Sequence, residues 1–176
     1  MRVFVAVPIP EELRQKIASL GQGIRQEGIK PVMPENMHLT LKFLGEVPPS
    51  KIADIKTRLG QIRFQGFECT VKGVGVFPNE DYIRVVWAGI RSQGLDDLAE
   101  KVIGSLAGYG KKESFSAHAT IARVKRKIDL KKFLEAHEEE EFGSFRVSQF
   151  ELIQSVLGRE GPEYTVLAAF KAEEDA

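Results

Sequence analysis

The 176-residue chain repeats its own order of elements at an offset of about 80 residues, and such self-similarity restricts the fold more tightly than composition does. Apolar residues at Leu13, Ile17, Leu20 and Ile24, behind Pro10 and two glutamates, have the spacing of an amphipathic helix; Leu95, Leu98, Val102 and Leu106 are its counterpart. Ile52, Ile55, Leu59 and Ile62 after Ser50 predict another helix, and Leu130, Phe133 and Leu134 after Asp129 a short fourth. Segments rich in Val, Ile, Phe and Thr predict strands over 2–7, 38–44, 67–77, 82–90, 118–125, 145–156 and 164–170. Overlaying the halves puts Arg2 on Tyr82, the Leu13 helix on the Leu95 helix, Ser50 on Asp129 and Phe67 on Phe145. Each half reads strand, helix, strand, helix, strand, and the joint is the turn signal Phe77-Pro78-Asn79-Glu80-Asp81. The chain is therefore expected to be α+β, with two similar lobes from about 1–78 and 81–160 and a final strand over 164–170.

A sharper marker lies inside the repeat. The same offset superposes His38-Leu39-Thr40-Leu41 on His118-Ala119-Thr120-Ile121. With five threonines and three histidines in the chain, a threonine two places after two of the three histidines arises by chance about 0.3% of the time. Strand side chains alternate faces, so each His and its Thr point the same way. Leu39, Leu41 and Phe43, and on the other strand Ala119 and Ile121, are expected to face the hydrophobic layer. If the lobes are related by a pseudo-twofold axis, two imidazoles and two hydroxyls meet across a cleft, a set that suits a phosphoryl group. A phosphodiester needs a base for the nucleophile and an acid for the leaving oxygen, and histidine serves as either near neutrality. Threonine hydroxyls donate to the non-bridging oxygens without adding charge.

Composition narrows the remaining classes. Twenty-five basic residues balance 25 acidic ones, so the overall basic excess of a sequence-independent duplex binder is missing. Lys42 shares the parity of His38 and Thr40, and Lys125, Arg126 and Lys127 follow the second motif, so a local basic rim remains available to an RNA backbone. The single cysteine, Cys69, excludes an internal disulfide framework and reads as a small buried hydrophobe. No apolar run approaches the roughly 18 residues of a membrane span, and the expected location is cytoplasmic.

The two motifs, read as Met37-His38-Leu39-Thr40-Leu41-Lys42-Phe43-Leu44-Gly45 and Phe115-Ser116-Ala117-His118-Ala119-Thr120-Ile121-Ala122-Arg123, resemble those of the two-histidine phosphoesterases. Within that superfamily they resemble the bacterial and archaeal RNA 2′,3′-cyclic phosphodiesterases, long called 2′-5′ RNA ligases. Arg2-Val3-Phe4-Val5-Ala6-Val7 followed by Pro10 and a helix resembles the family's opening, and the match spans nearly the whole chain. One departure is Ala117, where the family usually carries proline. The resemblance implies one catalytic domain over 1–176, with mainly antiparallel sheets lining a central cleft and helices outside. It implies hydrolysis of RNA 2′,3′-cyclic phosphate ends, tRNA fragments among them, to 2′-phosphomonoesters, with weak reversible 2′-5′ joining. Two imidazoles that divide the acid and base work need no metal or cofactor, and a monomer is expected. By the same resemblance His38 would protonate the departing 3′ oxygen, His118 would activate water, and Thr40 and Thr120 would bind phosphate oxygens.

Arg123 matches the family arginine that packs on the base or holds the RNA end, yet its odd spacing from His118 turns it away unless the strand bulges or ends there. Lys42 is a candidate substrate contact. Phe115, Trp87 and Tyr82 are expected in the core. His137 has a packing role at a helix end, and residues 138–141 form an exposed acidic turn. The Gly73-x-Gly75 pair leads to a turn rather than a helix, so it is not a phosphate loop. Three rival readings stay open at this level. A metalloenzyme lacks a third ligand at a suitable spacing. A module that binds an RNA end without turnover, and a phosphodiesterase for small cyclic nucleotides, are served by the same residues.

Overall fold

The computed structural model describes residues 1–173. In chain order its elements are β1 (Arg2–Pro8), α1 (Glu11–Gly23), β2 (Ile29–Pro31), β3 (His38–Glu46), α2 (Ile52–Gly60), β4 (Phe67–Asn79), β5 (Tyr82–Arg91), α3 (Gln93–Ser105), β6 (His118–Val124), α4 (Lys131–His137), β7 (Glu141–Val147), β8 (Gln149–Gly158) and β9 (Gly161–Lys171). The fold is α+β with antiparallel ladders throughout its two sheets, ordered β3-β1-β8-β9 and β2-β6-β5-β4-β7. Five consecutive residues of β1 are buried because both of its faces are covered: Val3, Val5 and Val7 enter the main core, while Phe4 and Ala6 pack with Ile153 and Tyr164 on the opposite face.

Strand for strand, β3-β1-β8 in one sheet corresponds to β6-β5-β4 in the other. The third strand of each repeat therefore lies in the other repeat's sheet, so neither sequence half builds a sheet alone. This exchange gives β1 and β5 partners on both edges and joins α1, α3 and both sheets in one hydrophobic cluster that includes Ile17, Leu39, Leu98, Ile121 and Phe150.

Two expectations about the strands change. The single strand expected over 145–156 is two strands in different sheets, with Ser148 between β7 and β8. Strand-forming residues run on both sides of the crossing, which is marked only by two polar residues in succession, Ser148 and Gln149, and by no Gly or Pro. The three-residue edge strand β2 was not expected, because it ends on Pro31 and is too short to show a period.

Local chemistry explains the element ends. Ser92 caps α3 by accepting from the Leu95 N–H at 3.2 Å, and the Asp129 carboxylate accepts from the Lys131 N–H at 2.9 Å ahead of α4. Ser50 lies in a 3-10 turn and makes no cap. At the joint of the repeats, Asn79 Oδ1 accepts from the backbone N–H groups of Asp81 and Tyr82. Tyr82, expected in the core, stands half-exposed there under the Arg84 guanidinium, as the first residue of β5 at the end of the sheet beside the turn.

Gly75 shows how tightly the second sheet is packed. It pairs with Trp87 across the ladder, and a Cβ at Gly75 would lie 2.2 Å from Trp87 Cζ2. Gly75→Ala is expected to displace the indole at an overpacking cost of about 1–3 kcal/mol. At roughly 2–4 °C per kcal/mol for a chain of this size, the melting temperature falls by several degrees. Thermal unfolding checks the loss, and emission from Trp87, the single tryptophan, reports whether the ring has moved.

Candidate active site

β3, at the edge of its sheet, and β6, whose motif residues lie beyond the three that pair with the short edge strand β2, carry the His-x-Thr motifs and approach one another. In each strand the alternation holds from His to Thr: Leu39, Leu41, Ala119 and Ile121 are buried in the core, and the His and Thr residues face away from it. It then breaks at the same place in both. On β6, Val86 pairs with Ala122 and Trp87 with Thr120, so Ile121 is skipped; on β3, Val5 pairs with Lys42 and Ala6 with Thr40, so Leu41 is skipped. Each skip is a β-bulge, which inserts one residue and reverses the parity beyond it. The bulge at Ile121 is held from outside the ladder, its carbonyl accepting from the Val32 N–H at 2.9 Å, and α1 comes close over it because Gly21 has no side chain.

The reversal decides which residues five places after each histidine reach the cleft. Arg123 turns toward His118 and Thr120, and Phe43 turns toward His38 and Thr40. The parity rule placed Phe43 in the core and Lys42 beside His38. Instead Phe43 is 58% exposed on the cleft wall, 6.0 Å from Phe4, and Lys42 leaves the main cleft, its Nζ donating to the Lys111 carbonyl at 3.4 Å.

The resulting cleft, of about 200 Å³, is lined by His38, Thr40, His118, Thr120, Arg123 and Tyr164, with β2 and the segment after it on one side and Glu160 to Pro162 of the β8–β9 hairpin on another. Each imidazole is braced by two aromatic rings. His38 lies 6.0 Å from Phe4 and 5.3 Å from Tyr164, centroid to centroid, and His118 lies 5.1 Å from Phe77 and 6.4 Å from Trp87. Trp87, expected in the core, is a partly buried support behind His118.

Electrostatics acts on the two histidines alike. Burial pushes both pKa values below the ordinary 6.5; the Arg123 guanidinium pushes His118 further down, and Arg14 does the same to His38. Both rings are thus biased toward the neutral form. In His118, Nδ1 lies 2.8 Å from the Ser116 carbonyl, which can only accept, so Nδ1 carries the proton and Nε2 holds a free lone pair. The Asn36 carbonyl stands in the equivalent place and favours the charged form of His38, but His38 Nδ1 completes no hydrogen bond. Burial raises the Tyr164 pKa, so its hydroxyl enters the cleft as a neutral group able to donate.

Other candidates fall elsewhere. Phe115 is partly buried against the core with its rim toward a second, smaller cleft. His137 ends α4 against Phe133 and bonds Glu140. Cys69 is fully buried, with its thiol pushed up to about 11 by desolvation. Among the described residues, no three His, Cys, Asp or Glu side chains gather as a metal would require, and no helix is long and apolar enough to cross a membrane. Sequence reasoning missed Tyr164 and Phe43 in the cleft. For Phe43 a signal existed, since it holds the position in the first repeat that Arg123 holds in the second.

Comparisons with known proteins place these features in a family. Residues 7–87 match the family described as LigT like Phosphoesterase. The chain is 40% identical to an RNA 2′,3′-cyclic phosphodiesterase of Archaeoglobus fulgidus, over 97% of this chain and 100% of that one. A crystal structure from Thermus thermophilus superposes with a TM-score of 0.85 at 33% identity, covering 99% of this chain and 100% of that one. Escherichia coli LigT complexed with 3′-AMP superposes with a TM-score of 0.83 at 29% identity, covering 98% of each chain. With full-length likeness in sequence and in fold, the chain belongs to the LigT-like phosphoesterases, among relatives named RNA 2′,3′-cyclic phosphodiesterases.

Proposed function

We propose that this protein hydrolyses the 2′,3′-cyclic phosphate at an RNA end to a 2′-phosphomonoester by acid–base catalysis between its two histidines. The observation that carries the reading is the meeting of His38, Thr40, His118, Thr120 and Arg123 in one cleft, on strands bulged alike. His118, with Nδ1 donating to Ser116, offers Nε2 as the base that takes a proton from water. The hydroxide attacks phosphorus, the bond to O3′ breaks opposite it, and His38 in its protonated form delivers the proton to O3′. Thr40 and Thr120 donate to the non-bridging oxygens, and Arg123 supplies positive charge as negative charge builds there. Phe43, exposed beside the reacting group, offers a ring face on which any base can stack, so the site is suited to RNA ends of any sequence. A 5′-hydroxyl in place of water joins two ends through a 2′-5′ bond by the same proton transfers. Both transfers fall to imidazoles, so the reaction calls for no metal, and the protein acts as a cytoplasmic monomer.

The test is incubation of the purified protein, with chelator and no added metal, with an RNA oligonucleotide ending in a 2′,3′-cyclic phosphate. The expected product carries a 2′-phosphate. A 3′-phosphate reverses the leaving-group assignment, and absence of turnover overturns the enzymatic reading in favour of an RNA-end binder. The pH profile follows from the depressed pKa values. His118 must be free of its proton and His38 must hold one, and both titrate below 6.5 in the free enzyme. The kcat/KM profile is therefore a bell centred on the acid side of pH 6.5. The kcat profile lies higher, because bound phosphate stabilises the imidazolium. A single titration in place of the bell counts against the division of labour.

A further inference from the structure

The duplication that produces two histidines also produces a second cleft. It is smaller, about 100 Å³, and is lined by Thr40, Lys42 and Phe43 of β3, by Lys111, Glu113, Ser114, Phe115 and Ser116 ahead of β6, by Ile103 of α3, and by His118. At the repeat offset, the segment before His118 stands against Thr40 and Phe43 as the segment 30–36 before His38 stands against Thr120 and Arg123 in the main cleft. The two clefts share Thr40, Phe43 and His118. His38 lines only the main one.

That difference has a chemical consequence. The entering and departing oxygens of a phosphoryl transfer lie roughly in line on opposite sides of phosphorus. With the departing O3′ and its nucleoside in the main cleft beside His38, the entering oxygen comes from the side of His118, where the second cleft opens. A phosphodiester carries a nucleoside on each side of phosphorus, and a twofold-related pair of clefts matches that layout. The second cleft also has the groups a nucleotide needs. The Lys111 backbone is held by Lys42 Nζ, which places two ammonium-bearing residues together, and Ile103 and Phe115 supply apolar surface for a sugar.

We propose that this second cleft is the subsite for a nucleotide bearing a 5′-hydroxyl, the partner that replaces water when two RNA ends are joined or a 2′-5′ bond is cut. The assignment rests on the cyclic phosphodiesterase reading of the main cleft. In joining, His118 takes the proton of the 5′-hydroxyl, a bond forms from O5′ to phosphorus, the bond from phosphorus to O3′ breaks, and His38 protonates O3′. Cutting runs in reverse. His38 takes the proton of the neighbouring 3′-hydroxyl, O3′ attacks phosphorus, and O5′ departs with a proton from His118, leaving a cyclic phosphate and a 5′-hydroxyl fragment. No other reactant enters in either direction.

The experiment compares two substrates on one protein: a 2′-5′-linked trinucleotide, followed by release of its 5′-hydroxyl fragment, and an RNA oligonucleotide ending in a 2′,3′-cyclic phosphate, followed by hydrolysis. Lys111→Glu reverses a charge in the second cleft alone, and Lys30→Glu reverses one in the main cleft alone. Loss of a charge-assisted contact corresponds to about tenfold or more. Lys111→Glu is therefore expected to lower the ratio of 2′-5′ cutting to cyclic-phosphate hydrolysis at least about tenfold, while Lys30→Glu slows both by a common factor and leaves the ratio in place. An unchanged ratio in Lys111→Glu, or a wild-type protein that hydrolyses the cyclic phosphate but never cuts the 2′-5′ bond, overturns the second subsite and leaves the main reading standing. Failure of wild-type protein on both substrates removes the main reading and the subsite with it.

Discussion

Replacing His118 by Ala lowers kcat on a 2′,3′-cyclic phosphate RNA end by about 10²–10⁴, the usual contribution of a positioned acid or base, and His38→Ala does the same. The two variants part company on a substrate whose leaving group needs no proton. With a 4-nitrophenyl phosphodiester, nitrophenolate departs unaided, so His38→Ala retains most of its activity while His118→Ala remains impaired. This follows from the proposed roles, in which His118, held by Ser116, accepts at Nε2 and His38 delivers the proton to O3′. Equal losses on the activated ester would show that the histidines are not divided into acid and base. Circular dichroism of each variant separates lost chemistry from lost structure. Both rings are partly accessible at the cleft, so their removal leaves the main core intact.

Arg123→Ala is the other change with a large expected effect, about 10²–10³ in kcat, as for removal of one donor that meets developing charge. The β6 bulge turns the guanidinium into the cleft, close enough for its charge to lower His118 and to oppose the rise that burial gives Tyr164. A residue so placed serves the phosphate more directly than the base. The loss is therefore expected to be the same for an RNA end and for a mononucleoside cyclic phosphate. A rise in KM confined to RNA would return Arg123 to a base-stacking role, the one left open by its sequence match. Arg123→Lys is expected to recover only part of the rate, since an ammonium cannot present the planar, two-pronged set of donors. The neutral-biased His118 provides an independent check: without Arg123 its pKa rises toward 6.5, and the acid limb of the kcat/KM profile moves up with it.

Much of this protein was legible before any coordinates because its strongest signals are local. The four helices follow from apolar spacing within a turn or two, and the pairing of each His with its Thr on one face follows from the two-residue period of a strand. The repeat offset of 80 made the two motifs equivalents of each other. Properties that depend on what lies across a ladder were not local. The bulges at Leu41 and Ile121 exist because β1 and β5 set a register that skips one residue, and nothing within His38–Glu46 or His118–Val124 announces it. That single-residue insertion brought Arg123 and Phe43 into the cleft and sent Lys42 out of it, reversing what parity alone predicts for each of them. Tyr164 reached the cleft because β9 pairs with β8 and β8 with β1, a chain of ladders spanning both ends of the polypeptide. The exchange of third strands between the sheets had the same origin. By itself the sequence determined that two His-x-Thr motifs come as a matched pair, each with its polar side chains on one face of a strand. Tertiary structure decided which neighbours join them, because side-chain direction beyond the motif is set by hydrogen-bonded partners distant along the chain.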